Sequence, residues 1–254
     1  TVRLAEAPSW WDAVANCQTL VERLEAMCSR FRPDSELNRL RRGAQLRPSA
    51  ELAAVLAAAE TARVETAGAF DARRHASIAN RPDPAAPDAP YDVDLGGIAK
   101  GYAADAVRDL CRSVGCRGAC VSFGTSSVSS HGTRAAGDPW RIALRDPAGD
   151  RRTALGWLEL PAEWSLSVSG FTERGVHIID PRTAAPASSA VIQAAVATPR
   201  GMSAETWSTA LVVLGVAGLE NLLAHHPNAH AVLVTTEQVI ATPGWFRRLP
   251  IANP

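Results

Sequence analysis

Asp94-Leu95-Gly96-Gly97-Ile98-Ala99-Lys100-Gly101-Tyr102-Ala103-Ala104-Asp105 stands where the chain changes character, from helical patterns to strand-like ones. A short extended piece, Tyr91-Asp92-Val93, leads into it. Beyond the two glycines, Ile98, Tyr102, Ala106, Val107 and Leu110 keep the spacing of an amphipathic helix. A carboxylate, a Gly-Gly turn and a helix with Lys in its first turn can cradle phosphate or a metal. Glycine lets a ligand approach the backbone, a helix start offers unpaired N–H groups, and Lys adds charge. The spacing matches neither G-x-x-x-x-G-K-[ST] nor G-x-G-x-x-G. By itself the stretch reads equally well as a structural turn before a helix.

Upstream, residues 9–30 are helical in spacing (Trp10, Val14, Cys17, Val21, Leu24, Met27), with Ser9 as N-cap. Phe31-Arg32-Pro33-Asp34-Ser35-Glu36-Leu37-Asn38-Arg39-Leu40 reads as a turn or cap followed by about one helical turn. A second helix runs from Ser49 to about Glu65 and stops before Gly68-Ala69-Phe70-Asp71. Asn80–Pro90, dense in Pro, Asp and Ala, reads as a connecting loop.

Downstream the expected strands are Ala119–Phe123, Trp140–Leu144, Leu155–Leu160, Ser165–Val168, Val176–Ile179, Val191–Ala197 and Ala231–Thr235. Helices at Ser203–Leu214, capped by Ser203, and at about Ala217–His225 interrupt them. Helices first, then strands with inserted helices, indicate an α+β fold.

Composition narrows the function. Hydrophobic residues make up 46% and charged residues 20%, an ordinary globular balance for 254 residues. Twenty-six basic residues equal 26 acidic ones, so nothing points to nucleic acid as a partner. No apolar run approaches the roughly 18 residues of a membrane span, and no signal-peptide pattern opens the chain. Cys111, Cys116 and Cys120 lie close in sequence, but no second cluster completes a zinc set. With Cys17 and Cys28 they read as buried thiols.

Two later stretches could carry chemistry. In Ser167-Val168-Ser169-Gly170 followed by His177-Ile178-Ile179-Asp180-Pro181-Arg182-Thr183, a His precedes a carboxylate and a guanidinium, although a strand His and an Asp-Pro turn are most simply structural. In Ser203–Gly215, Glu205 and Thr209 are four residues apart on one helix face and could give Mg²⁺ two oxygen ligands. A first-turn Glu favoured by the helix dipole, beside a Thr that merely packs, is the simpler reading of the pair.

Taken in order, D-L-G-G-I-A-K-G-Y-A-A-D, S-x-S-G with H-I-I-D-P-R-T, and the helix S-A-E-T-W-S-T-A-L resemble the ApbE family of flavin transferases. F-R-P-D-S-E-L-N-R-L and G-A-F-D support the match upstream. The resemblance implies one α+β, T-fold-like domain over 1–254, with a mixed or antiparallel sheet, flanking helices and a short N-terminus lacking the usual opening strand. It implies FAD as substrate and Mg²⁺, with FMN passed to a Ser or Thr hydroxyl of an acceptor protein and AMP released. FAD hydrolysis, or flavin binding without turnover, are its alternatives.

The same resemblance implies the site. Gly97 (carbonyl), Glu205 and Thr209 would hold the metal. Phe31, Ala69, Phe70, Asp71, Asp94, Lys100 and Ile179 would contact FAD, Lys100 at the pyrophosphate. His177 would take the proton of the attacking hydroxyl. Three departures stand out: Glu205 where the family has Asp, Thr183-Ala184 for Thr-Gly, and Val121-Ser122-Phe123-Gly124-Thr125-Ser126 where members read close to V-N-L-G-G-D. The cysteines and absent signal point to the cytoplasm, while members of the family are often exported.

Overall fold

The computed structural model describes residues 1–7, 9–44, 47–73, 93–149, 153–171 and 178–248. In chain order its elements are β1 (Val2–Ala5), α1 (Trp10–Cys28), α2 (Glu36–Arg41), α3 (Ala50–Glu65), α4 (Ala99–Ser113), β2 (Gly118–Phe123), β3 (Ser127–Gly132), β4 (Trp140–Arg145), β5 (Ala154–Leu160), β6 (Ser165–Gly170), β7 (Ile179–Asp180), β8 (Ala185–Pro186), β9 (Val191–Thr198), α5 (Gly201–Leu214), α6 (Gly218–His225), β10 (His230–Thr235), β11 (Val239–Ala241) and β12 (Phe246–Arg248). The fold is α+β.

Seven strands form the main sheet in the order β1-β2-β3-β6-β9-β10-β11, and β12-β5-β4 form a second. Every described pairing is antiparallel. Strand β6 shows how the layers arise. In Ser165-Leu166-Ser167-Val168-Ser169-Gly170 side chains alternate between faces. Leu166 and Val168 join Val128, Leu144 and Leu158 in a core between the two sheets. The serines turn the other way, toward α4 and α5. A larger core, with Leu37, Leu52, Ile98, Trp207 and Leu211, lies on the helical side.

Local signals placed several boundaries well. Ser9, Ser35 and Ser49 each accept a backbone N–H in the first turn of the helix they precede. Three expectations need correction. The opening strand is present: Val2–Ala5 pairs antiparallel with β2, Val2 opposite Val121. Helix α5 begins at Gly201 rather than Ser203, because its first N–H is received by Asp105 of α4 and not by a local cap. The strand expected at Val176–Ile179 is Ile179–Asp180 among the described residues. Val176, His177 and the Asn80–Pro90 loop lie outside the described residues. Also among those described, no helix is long and apolar enough to cross a membrane.

Candidate functional site

A cleft of about 1180 Å³ runs along the ends of α1, α4 and α5 and into the space between the sheets. At the start of α4, the Asp94 Oδ1 accepts the Gly96 N–H at 2.8 Å, closing the turn that admits the glycines. Asp94 Oδ2 lies 3.1 Å from Arg30 Nε. Gly97 sits under the Phe70 ring, which an added Cβ would approach to 3.0 Å. Phe70 is itself held by Thr66, whose Oγ1 donates to the Ala62 carbonyl and accepts the Phe70 N–H.

The P-D-S-E-L-N segment has a mechanical role. Buried Asn38 donates its amide to the carbonyls of Arg30 and Arg32, both at 2.8 Å, and Ser35 Oγ donates to the Ser29 carbonyl. That fixes the loop presenting Phe31, whose ring is 77% exposed at the cleft with the Arg30 guanidinium 4.3 Å from its centroid. Asp71 is paired to Arg73 at 2.7 Å. Phe31, Ala69, Phe70, Asp71, Asp94 and Ile179 all line the cleft.

The helices α4 and α5 cross at Gly101 and Gly201. A Cβ on Gly101 would come within 2.1 Å of the Gly201 carbonyl oxygen and 2.7 Å of Glu205 Cγ, so only glycine permits this approach. The crossing brings Lys100 to Glu205, 105 residues away: Nζ stands 2.6 Å from Oε2. Glu205 is only 3% exposed, and its other oxygen accepts from Ser127 Oγ. Thr209 Oγ1, one turn on, lies 3.1 Å from Ser169 Oγ. Gly97, Lys100, Glu205 and Thr209 share the cleft. Of the expected site only His177 falls outside the described residues.

Two side chains were missed by sequence reasoning. Asp105 closes the opening motif, yet no role was evident for it. Its Oδ2 accepts the Gly201 N–H at 2.7 Å, and its Oδ1 receives Ser129, Ser165 and Arg108. Ser127 braces Glu205. A signal for both exists in the alternating serines at 127 and 129 and at 165, 167 and 169, a polar face too regular for a loop.

Three groups around the cleft are held away from their ordinary protonation range. The Cys28 thiol lines the cleft, but burial, then the charges of Glu51 and Glu36, push it up to about 11, so it stays protonated at neutral pH. Burial and the hydrogen bond to Glu51 raise the Tyr102 hydroxyl further. The hydrogen bond from Arg182 holds the Asp180 carboxyl below its ordinary range. No three His, Cys, Asp or Glu side chains converge on one metal position among the described residues.

The departures take physical form. Ala184 adopts φ 57°, the left-handed region that favours glycine, in a turn where its N–H meets the Asp180 carbonyl at 2.9 Å. Phe123, Thr125 and Ser126, from the divergent 121–126 segment, line the cleft.

A helix crossing on paired glycines, with an acid–lysine couple beside a nucleotide-sized cleft in an antiparallel α+β frame, defines a recognisable class. Residues 1–80 and 73–234 match the model of the ApbE family, and the chain belongs to that family. It is 35% identical over 131 residues to the FAD:protein FMN transferase of Vibrio cholerae, covering 48% of this chain and 39% of that protein. A relative of the same name from Rhodobacter capsulatus is 34% identical over 169 residues, covering 62% and 31%. The matched segment thus spans well under half of either relative. Among solved structures, the flavin transferase ApbE from Vibrio cholerae superposes with TM-score 0.79 at 24% identity, covering 98% of this chain and 92% of that one. An ApbE protein from Thermotoga maritima gives 0.76 at 20% identity, covering 95% and 93%.

Proposed function

We propose that this protein transfers FMN from FAD to a Ser or Thr hydroxyl of an acceptor protein, with Mg²⁺ bound, releasing AMP. The observation that carries the proposal is the buried Glu205 carboxylate facing Lys100 where α4 and α5 cross, on the wall of a cleft about 1180 Å³ in volume. That volume is above the roughly 300–1,000 Å³ of ordinary small-molecule sites, as a dinucleotide requires. The relatives' shared name, FAD:protein FMN transferase, supports the same reaction.

The donor chemistry fits Mg²⁺. Glu205 carboxylate, Thr209 hydroxyl and Gly97 carbonyl are hard oxygen donors, and one protein carboxylate completed by phosphate and water is the usual magnesium pattern. Lys100 held against Glu205 shows that this carboxylate takes a cationic neighbour. When bound, Mg²⁺ would neutralise charge on the pyrophosphate.

The chain's own residues supply the rest. The acceptor oxygen forms a bond to the FMN phosphorus as the bond from that phosphorus to the AMP oxygen breaks. Lys100 offsets the charge that develops on the departing phosphate, and the N–H groups at the start of α4 add to it. Phe31 offers a ring face for stacking. Asp94, Asp71 and Ile179 line the approach, and His177 takes the hydroxyl proton. Hydrolysis follows if water replaces the hydroxyl.

The test incubates the protein with FAD, with and without Mg²⁺, and with a Ser/Thr-containing acceptor peptide in parallel. Mg²⁺-dependent AMP together with flavin covalently held on the peptide is expected. AMP with free FMN in every tube makes the protein a hydrolase. FAD bound and intact under all conditions overturns the enzyme assignment.

A further inference from the structure

The cleft continues past the Lys100–Glu205 couple into a slot between the two sheets. Its open walls are Ile142 of β4 and Val168 of β6, both half-buried, and the buried Leu144, Leu166 and Val128 close it where the core between the sheets begins. Flat aliphatic walls suit the faces of a heteroaromatic ring and carry no information about its edge. The edge needs a polar group, and β9 provides one.

Gln193 is 3% exposed and lines the cleft. It stands opposite Gly170 in the β6–β9 register, and a Cβ on that glycine would press on the Ile192 carbonyl oxygen at 2.7 Å and Gln193 Cβ at 3.3 Å. Its Nε2 donates to the Arg145 carbonyl on β4 at 3.1 Å. A carbonyl oxygen cannot donate, so this partner fixes which end of the amide faces β4. Oε1 then stands as an acceptor with no hydrogen-bond partner among the described residues, and it is not shut away from the cleft. An acceptor oxygen held at a cleft wall exchanges water for a donor that arrives with the ligand.

We infer that Gln193 reads the base of the bound nucleotide, its Oε1 accepting a hydrogen bond from an N–H on the edge of a heteroaromatic ring held between β4 and β6. This rests on the nucleotide reading of the cleft and sharpens it. Two parts of FAD carry such a donor, the 6-amino group of adenine and the imide N–H of the flavin. Both present an N–H in the plane of the ring. Gln193 thereby becomes a specificity residue distinct from the groups at the phosphates. Its tie to Arg145 also makes it the strut that sets the width of the slot.

The experiment measures dissociation constants of the full chain for FAD, ADP and FMN, in the native protein and in Gln193→Leu. Loss of one charge-free hydrogen bond from a buried acceptor weakens binding about tenfold. The expected result is that loss for FAD and for one of the two half-ligands: ADP if adenine occupies the slot, FMN if the flavin does. Because Gln193→Leu also removes the strut, the native protein is tested with ligands lacking the donor, a purine nucleoside diphosphate without its 6-amino group and an N3-methylated FMN. One of these must bind about tenfold more weakly than its parent, and the difference must vanish in Gln193→Leu. Unchanged affinities for both half-ligands in the variant, or equal binding of parent and analogue in the native protein, overturn the inference while the nucleotide site stands. A native protein that binds none of FAD, ADP or FMN removes the site and this inference together.

Discussion

The two faces of β6, one residue apart in sequence, meet opposite chemical worlds. On one face Leu166 and Val168 pack between the sheets with Val128, Leu144 and Leu158. On the other, Ser165 hydrogen-bonds to Asp105 of α4, Ser167 to Ser208 of α5, and Ser169 to Ser208 and Thr209. Strand β3 repeats the pattern, with Ser127 on Glu205 and Ser129 on Asp105. An ordinary half-buried strand puts its polar side in water. Here the polar side is buried too, and small hydroxyls let two helices come close while satisfying their carboxylates. The apolar face holds the sheets together; the serine face aims Glu205 and Thr209 into the cleft.

If that division is right, damage on the two faces should differ in kind. The largest combined loss of stability and turnover is expected for Asp105→Ala, which strands Arg108, two serines and the Gly201 N–H in a buried setting. Removing one partner of a buried ion pair costs about 3–5 kcal/mol, and Asp109, 3.0 Å from Arg108, keeps this case at the lower end. Urea unfolding reads the loss, and AMP release from the folded fraction should fall as well, because α5 loses its anchor. Leu158→Ala, fully buried in β5 against the apolar face of β6, should cost about 2–5 kcal/mol. Its folded fraction should retain turnover. Equal turnover loss in both variants would erase the distinction between the faces.

Gly101→Ala presses a methyl group onto the Gly201 backbone. Overpacking of this sort costs about 1–3 kcal/mol, and separating α4 from α5 should also lower AMP release. A stable, fully active Gly101→Ala would show that the close crossing does not place Glu205. The smallest effect lies away from both faces. Ala184→Gly relieves a left-handed alanine and should stabilise by about 0.5–1 kcal/mol, net of glycine's greater freedom when unfolded. Thermal unfolding checks its sign.

How much of this was legible follows from distance along the chain. The boundaries of α1 and α3 were readable because Ser9 and Ser49 cap them locally. The start of α5 was not, since its cap, Asp105, is 96 residues away. Strand β3 (Ser127-Val128-Ser129-Ser130-His131-Gly132) lacks the apolar alternation of a strand because its buried side is serine. Strand β1 is four residues long and owes its place to pairing with β2. At the site, Glu205 and Thr209 share a face by helical spacing alone. That Lys100 meets Glu205 could not come from spacing, because the two stand 105 residues apart. Gln193 looked like any polar residue in a strand until the partner of its amide was known.

If the serine face positions chemistry and the rest of the cleft supplies binding, Glu205 governs turnover and not affinity. Glu205→Gln tests it most directly, because the amide keeps the side chain's shape and removes its charge. FAD affinity and Mg²⁺-dependent AMP release would be measured on the same preparation. FAD binding within about threefold of native and AMP release lowered by about 100-fold or more are expected. AMP release near the native rate with Gln at 205 would contradict it, because a neutral amide cannot do the work assigned to a buried carboxylate.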